Sequence, residues 1–203
     1  MIYFNEHDKR TAAWLRNLFP GAVVDDRSII DVRADDLRLH RRVHLFGGIG
    51  GWELALRLAG VPDDLPIWTG SCPCQPFSTA GRGGGTADDR HLWPEMFRLV
   101  DQCRPVLIFG EQVGSKAGRG WLAGVHADLE SLGYTFGAAD LPAACVGAPH
   151  IRQRLFWGAV RVGDLHGQGL DREGLHVQQG GPRPPLSNAT GTGTAGRMGD
   201  PIR

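Results

Sequence analysis

The chain is short of lysine and of cysteine, and it has no charge of one sign to spare. Only Lys9 and Lys116 are lysines, and 22 basic residues balance 22 acidic ones. Zero net charge excludes a strong global field that would draw in nucleic acid, though not a local basic groove. The four cysteines, Cys72, Cys74, Cys103 and Cys145, are irregularly spaced, which excludes a disulfide framework. No apolar run approaches the length of a membrane span. No signal peptide is readable, since "MIYFNEHDKR" is charged within a few residues. A reducing, cytoplasmic setting with no membrane partner is expected. No internal repeat is visible.

The 203 residues suffice for one sizeable core. "MIYFNE" reads as a strand ending on Glu6, and "HDKRTAAWLRNLF" as a helix. Asp8 caps that helix, Trp14, Leu15, Leu18 and Phe19 form its apolar face, and Pro20-Gly21 ends it. "AVVDD" is a second strand, and "DVRADDLRLHRR" holds a helical turn. A strand over Val43–Phe46 enters a glycine-rich turn and then a helix from about Trp52 to Ala59. "LPIWTGSC", "VLIFGEQVG", "TFGAADL" and "RLFWGAV" read as further strands. "HLWPEMFRLVDQCRP" and "GWLAGVHADLESLGY" read as helices, with Pro94 in the first turn of one and Gly133 closing the other. This alternation predicts an α/β domain over residues 1–160 with a mostly parallel sheet. Residues 161–203 are rich in Gly and Pro and poor in aromatics, and are expected to be a disordered tail.

In parallel sheets, ligands gather at the carboxyl ends of strands. Glu6, Asp25, Asp26, the Gly47–Gly51 turn, Cys74 and Glu111 all fall at such ends. The turn "FGGIGG" lets a ligand approach the backbone closely. It is not the dinucleotide fingerprint, because Glu53 stands where the third glycine belongs, and this disfavours a nicotinamide oxidoreductase. In "GSCPCQPFSTAG" the Cys-x-Cys spacing fits neither a zinc site nor a redox pair. Core filler and a nucleophile on a rigid loop both remain open by spacing alone.

Four segments together carry more. "LFGGIGG", "PCQPFS", "FGEQV" and "GAPHIRQR" resemble, in order and spacing, the glycine turn, Pro-Cys-Gln loop, Glu-Asn-Val strand end and Gln-x-Arg-x-Arg strand of the DNA cytosine-5 methyltransferases. "DDRHLWPEMFRLV" is similar to the helix between the second and third. The resemblance covers roughly residues 1–160. It implies a Rossmann-like fold with helices on both faces, S-adenosyl-L-methionine as cofactor, and a cytosine flipped out of DNA as substrate. A restriction-modification setting is expected with it. Cys74 matches the nucleophile, Glu111 the ring-binding glutamate, Arg154 the arginine on the cytosine carbonyl, and Arg152 its neighbour supporting the catalytic loop. Cys72 reads as a bystander.

The family's second and third strands appear here at the front. "FNEHD" is similar to the ribose-binding Asn-Glu-x-Asp end, and "VVDDRSI" to the adenine-binding strand end. The resemblance therefore implies a rearranged strand order. Glu6 takes ribose, Asp26 (alternatively Asp25) takes adenine, Phe46 stacks nearby, Leu92 contributes backbone, and Gly48, Gly50 and Gly51 form the turn. Gln112, His150 and His44 stand where Asn, Gln and Asp are usual. The family's target recognition domain has no counterpart here. The chain is then a minimal enzyme, one half of a split enzyme whose recognition chain is separate, or a truncated or decayed fragment that binds without efficient turnover.

Overall fold

The computed structural model describes residues 1–73, 92–161 and 163. Its first unit is β1 (Ile2–Asn5), α1 (Lys9–Leu18) and β2 (Val23–Asp25). Asp8 caps α1 by accepting from the Thr11 N–H at 2.8 Å. Only Ala12 and Leu15 of α1 are buried, while Trp14 and Leu18 are exposed. The expected apolar face is thus narrower. Leu15 and Phe19 pack inward, and Trp14 lies on the solvent side of the same helix.

A short 3-10 turn (Ile29–Asp31) and α2 (Ala34–Leu37) lead to β3 (Arg42–Leu45). Then follow α3 (Gly51–Leu58), β4 (Ile67–Gly70), α4 (Trp93–Cys103), β5 (Leu107–Val113), α5 (Lys116–Ser131), β6 (Thr135–Pro142) and β7 (Gln153–Val160). Helix α5 starts four residues earlier than its apolar pattern suggests. Ser115 caps it by accepting from the Gly118 N–H, a polar signal that hydrophobic spacing does not carry. Pro94 sits in the first turn of α4, where its missing N–H costs nothing.

The seven strands form one sheet in the order β2-β1-β3-β4-β5-β7-β6. All pairs from β2 to β5 are parallel, and β7 runs antiparallel to both β5 and β6. Strand β3, which carries the glycine turn, lies inside β1, and β1 lies inside β2. Counted by their roles in the resembled family, the strands read third, second, first, fourth, fifth, which is the doubly wound order. The chain therefore reaches a common sheet by a different route, and the rearranged order is what the sheet displays.

Side chains alternate between two covered faces. Tyr3, Val43, Leu45, Trp68, Ile108 and Trp157 join α4 and α5 in one core cluster. Trp93 stands edge-on to both Trp121 and Trp157, and its Nε1–H donates to Asp128 Oδ2 at 2.7 Å, pinning α4 to α5. Phe4 and His44 point the other way, where Phe4 packs on Phe19 and stacks on His44. No helix among the described residues is long and apolar enough to cross a membrane.

Candidate active site

Strand register builds the site. Asp25, Asn5, Leu45, Gly70 and Gly110 are paired in one continuous row across β2, β1, β3, β4 and β5. The next residue on each strand is Asp26, Glu6, Phe46, Ser71 and Glu111. All five therefore emerge along the same carboxyl edge. From β1 to β5 is three strand intervals, or about 14 Å.

The first half of this edge is held by the glycine turn. The Gly47 N–H donates to the Asn5 carbonyl at 2.9 Å, joining the turn to β1. Glu6 then bridges two segments: Oε2 accepts from the Gly48 N–H at 2.8 Å, and Oε1 accepts from the Asp8 N–H at 2.9 Å. Gly50, the N-cap of α3, has φ 80°, and a Cβ there would lie 2.5 Å from the Phe19 ring. Only glycine meets both conditions. Cβ positions on Gly48 and Gly51 instead meet nothing within 4 Å, so the turn presents bare backbone to open space. Phe46 adopts φ 55° and is half-buried against the core.

Beyond β1, Tyr3, Val23, Val24, Asp25, Asp26, Arg27 and Asp36 line a cavity of about 410 Å³. The two candidate aspartates differ there. Asp25 is saturated: it accepts from Tyr3 Oη at 2.6 Å and from the backbone N–H and guanidinium of Arg27. Its pKa is about 2, because these hydrogen bonds and the Arg27 charge outweigh the opposing effect of burial. Asp26 holds one exposed ion pair, to Arg16 at 3.1 Å. Asp26 keeps acceptor capacity that Asp25 has spent.

The second half lies on β5 and β7. Glu111 pairs with Phe156 in register, and Val113 with Arg154. Arg154 Nε lies 2.5 Å from Glu111 Oε1. Burial pushes the Glu111 carboxyl up, against the charges of Arg154 and Arg152 and the Arg154 hydrogen bond, which pull it down. Arg152 is exposed and has φ 32°. The Trp157 ring lies so close over Gly110 that a Cβ there would meet it at 2.2 Å, which lets β7 pack tightly beside Glu111.

Cys74 lies outside the described residues, as does the 164–203 part of the expected tail. Cys72 is described and buried, with its Sγ 3.9 Å from Met96 Sδ. Burial pushes its thiol far up, out of thiolate range. Leu92 is the N-cap of α4, and its carbonyl accepts from Met96. Gln112 is buried, and its own Oε1 accepts from the Val113 N–H. His150 is exposed.

The structure also adds residues that motif reading missed. Trp52 Nε1–H donates to Ser71 Oγ at 2.9 Å, and its ring stacks on Phe109 and stands edge-on to Phe156. It thus joins the start of α3 to both halves of the edge. An indole directly after a glycine turn was the available signal. Arg27, which neutralises Asp25 and Asp36, carried no signal at all.

The sequence profile of the C-5 cytosine-specific DNA methylases matches residues 60–167. Among curated proteins, the chain is 28% identical over 158 residues to "Type II methyltransferase M.AgeI" of Thalassovita gelatinovora, covering 76% of this chain and 33% of that one. It is 31% identical over 117 residues to "Type II methyltransferase M.AluI" of Cellulosimicrobium cellulans, covering 52% and 22%. The chain thus spans a third or less of these two relatives. A solved DNMT2 of Spodoptera frugiperda shares the fold, with TM-score 0.53 and 18% identity over 79% of this chain and 42% of that one. With a profile match over more than half its length and the site edge in matching order, the chain belongs to the C-5 cytosine-specific DNA methylase family.

Proposed function

We propose that the chain transfers a methyl group from S-adenosyl-L-methionine to C5 of cytosine in DNA, with Cys74 as nucleophile. The observation that carries this reading is the single row of Asp26, Glu6, Phe46, Ser71 and Glu111 at one sheet edge. The cofactor pocket fits on chemical grounds. Bare glycine backbone at Gly48 and Gly51 borders a carboxylate, Glu6, that suits ribose hydroxyls. Asp26, beside the cavity, suits an adenine amine, with Phe46 as a stacking surface and the Leu92 backbone as a further contact. The cofactor, when bound, supplies an electrophilic methyl on sulfonium.

The chain's own residues handle the base. A thiolate on Cys74 adds to C6, making C5 nucleophilic toward the methyl group. Loss of the C5 proton then expels the thiolate and restores the ring. Glu111 in its neutral form donates to ring N3 and accepts from the exocyclic amine, and its raised carboxyl favours that form. The same reading assigns Arg154, whose Nε lies 2.5 Å from Glu111 Oε1, to the cytosine carbonyl, and Arg152 to support of the catalytic loop.

The curated relatives carry Type II names, so a restriction-modification role follows the same reading. Alone, the chain should methylate unpaired cytosines faster than paired ones, because flipping costs least when a base is already unstacked.

The test is incubation with a duplex containing 5-fluorocytosine, which blocks loss of the C5 substituent. A covalent adduct mapped to Cys74, absent in Cys74→Ala, is expected. Cofactor binding without any adduct on single- or double-stranded substrate would favour the second reading, a decayed fragment. That reading is motivated by Gln112, His150 and His44 standing where the family usually has Asn, Gln and Asp.

A further inference from the structure

We infer that His44 is a positioning residue that locks the glycine turn to the strand leading to Cys74. The inference rests on the methyl-transfer reading above for its catalytic consequence, though not for its structural one. His44 is the residue that departs from the usual Asp before Leu-Phe. It lies on β3, two residues before Phe46, and is fully buried.

Its two ring nitrogens meet different elements. Nε2 lies 3.1 Å from Glu53 Oε2 on α3. Nδ1 lies 2.8 Å from Thr69 Oγ1 on β4. Glu53 is itself fully buried, and its other donors are Arg42 Nη1 at 2.9 Å and Arg57 Nε at 2.6 Å. With two guanidinium groups on it, Glu53 is a carboxylate, held at about 2 chiefly by its hydrogen bonds to His44, Arg57 and Arg42 against the effect of burial.

A carboxylate only accepts, so the His44 proton must sit on Nε2. Burial pushes the imidazole pKa down, so His44 stays neutral, and Nδ1 is left as an acceptor for the Thr69 hydroxyl. The tautomer is fixed from the Glu53 side, and the Thr69 hydroxyl, which can donate or accept, follows it. Glu53 sits in the first turn of α3, the helix that the glycine turn opens. Thr69 precedes Gly70 and Ser71 on the way to Cys74. The buried chain Glu53–His44–Thr69 therefore joins the cofactor turn to the nucleophile strand beneath the pocket, as Trp52–Ser71 joins them at the rim. His44 is fully buried with both ring nitrogens on protein partners, so its assigned role is positioning and not contact with a reactant. It sets the separation between the two reactants, where a misplacement of about 1 Å can cost about a hundredfold in rate.

Thr69→Val is the cleanest variant, because it keeps the shape and removes only the hydroxyl. The first readout is amide hydrogen exchange, which needs no activity. Thr69→Val is expected to speed exchange at Gly47 and Gly48 at least about threefold while leaving Leu155 and Trp157 unchanged. The second readout is single-turnover methyl transfer. It should fall about tenfold or more, with the cofactor Kd changing less than about threefold. His44→Phe should behave alike, and the double variant should be no worse than either single. Unchanged exchange at the turn, exchange that rises uniformly over the sheet, or additive effects would each overturn the inference. If the wild-type chain transfers no methyl group, the functional reading fails, and the exchange result still decides the link between turn and strand. Should His44→Phe not fold, Thr69→Val carries the test alone.

Discussion

The two halves of the sheet edge are built to different standards. In the β1–β3 half, strand β3 is buried along its whole length, and β1 along all but its first residue. Three carboxylates there are matched internally: Glu6 with two backbone N–H groups, Glu53 with three cationic or imidazole donors, Asp25 with Arg27 and Tyr3. In the β5–β7 half, the edge strand β6 is exposed at six of its eight residues. Leu141 is 48% and Phe156 36% exposed there. The first half is determined by contacts within the chain. The second carries the half-buried Glu111 carboxyl beside an edge strand that its described neighbours leave open. Internal hydrogen bonding is concentrated around the glycine turn, and exposure on the β6 edge of the other half.

The largest effect should come from the open half. Glu111→Gln keeps the shape but removes the titrating carboxyl, and methyl transfer should fall about 10²–10⁴-fold, measured with tritiated cofactor. The same variant probes electrostatics. A carboxyl whose folded pKa is raised costs no stability below its ordinary value; the cost grows as pH rises from the ordinary value to the raised one and is constant above it. The melting temperature of Glu111→Gln relative to wild type should therefore be more favourable at pH 8 than at pH 4. A difference independent of pH would mean that Arg154 fully offsets the burial.

Next in size is Gly50→Ala, in the closed half. It combines a left-handed φ with a contact to Phe19 and should cost about 2–4 kcal/mol in denaturant melts. Stability within about 0.5 kcal/mol of wild type, the scatter of neutral surface changes, would show that the turn is looser than its packing suggests. Glu6→Ala should weaken S-adenosyl-L-methionine binding by about 1–3 kcal/mol in calorimetry, the scale of charge-assisted hydrogen bonds. Unchanged affinity would detach Glu6 from the cofactor and leave it a structural brace of the turn. The smallest effect belongs to the open sheet face. Leu141→Ser should change stability by less than about 0.5 kcal/mol, whereas Leu45→Ala in the closed half should cost about 2–5 kcal/mol. Equal losses at the two sites would erase the contrast between the halves.

Much of this was legible from residues alone, for local reasons. A capping Asp8, a proline in the first turn of α4 and strands ending on carboxylates are short-range signals, and each reports its own segment. The motifs around Gly48, Cys74, Glu111 and Arg154 are equally local, so they identify the family from sequence. Even the rearranged order could be read, because each strand end carries its own ligand chemistry. The apolar face of α1 was read too wide, since spacing does not say which side of a helix meets a neighbour.

Tertiary structure alone decided what depends on register and on pairs far apart in the chain. That Asp26, Glu6, Phe46, Ser71 and Glu111 share one edge follows from strand pairing, which no single strand encodes. Tyr3 and Arg27 saturate Asp25, a difference from Asp26 that neither residue type nor spacing carries. Glu53, in sequence only a missing glycine, became the buried partner of Arg42, His44 and Arg57. Sequence fixed the chemistry available at each strand end, because side-chain type is local. Which of those groups is free to act was settled by burial and by partners up to 43 residues away, because desolvation and hydrogen bonding are properties of the packed chain.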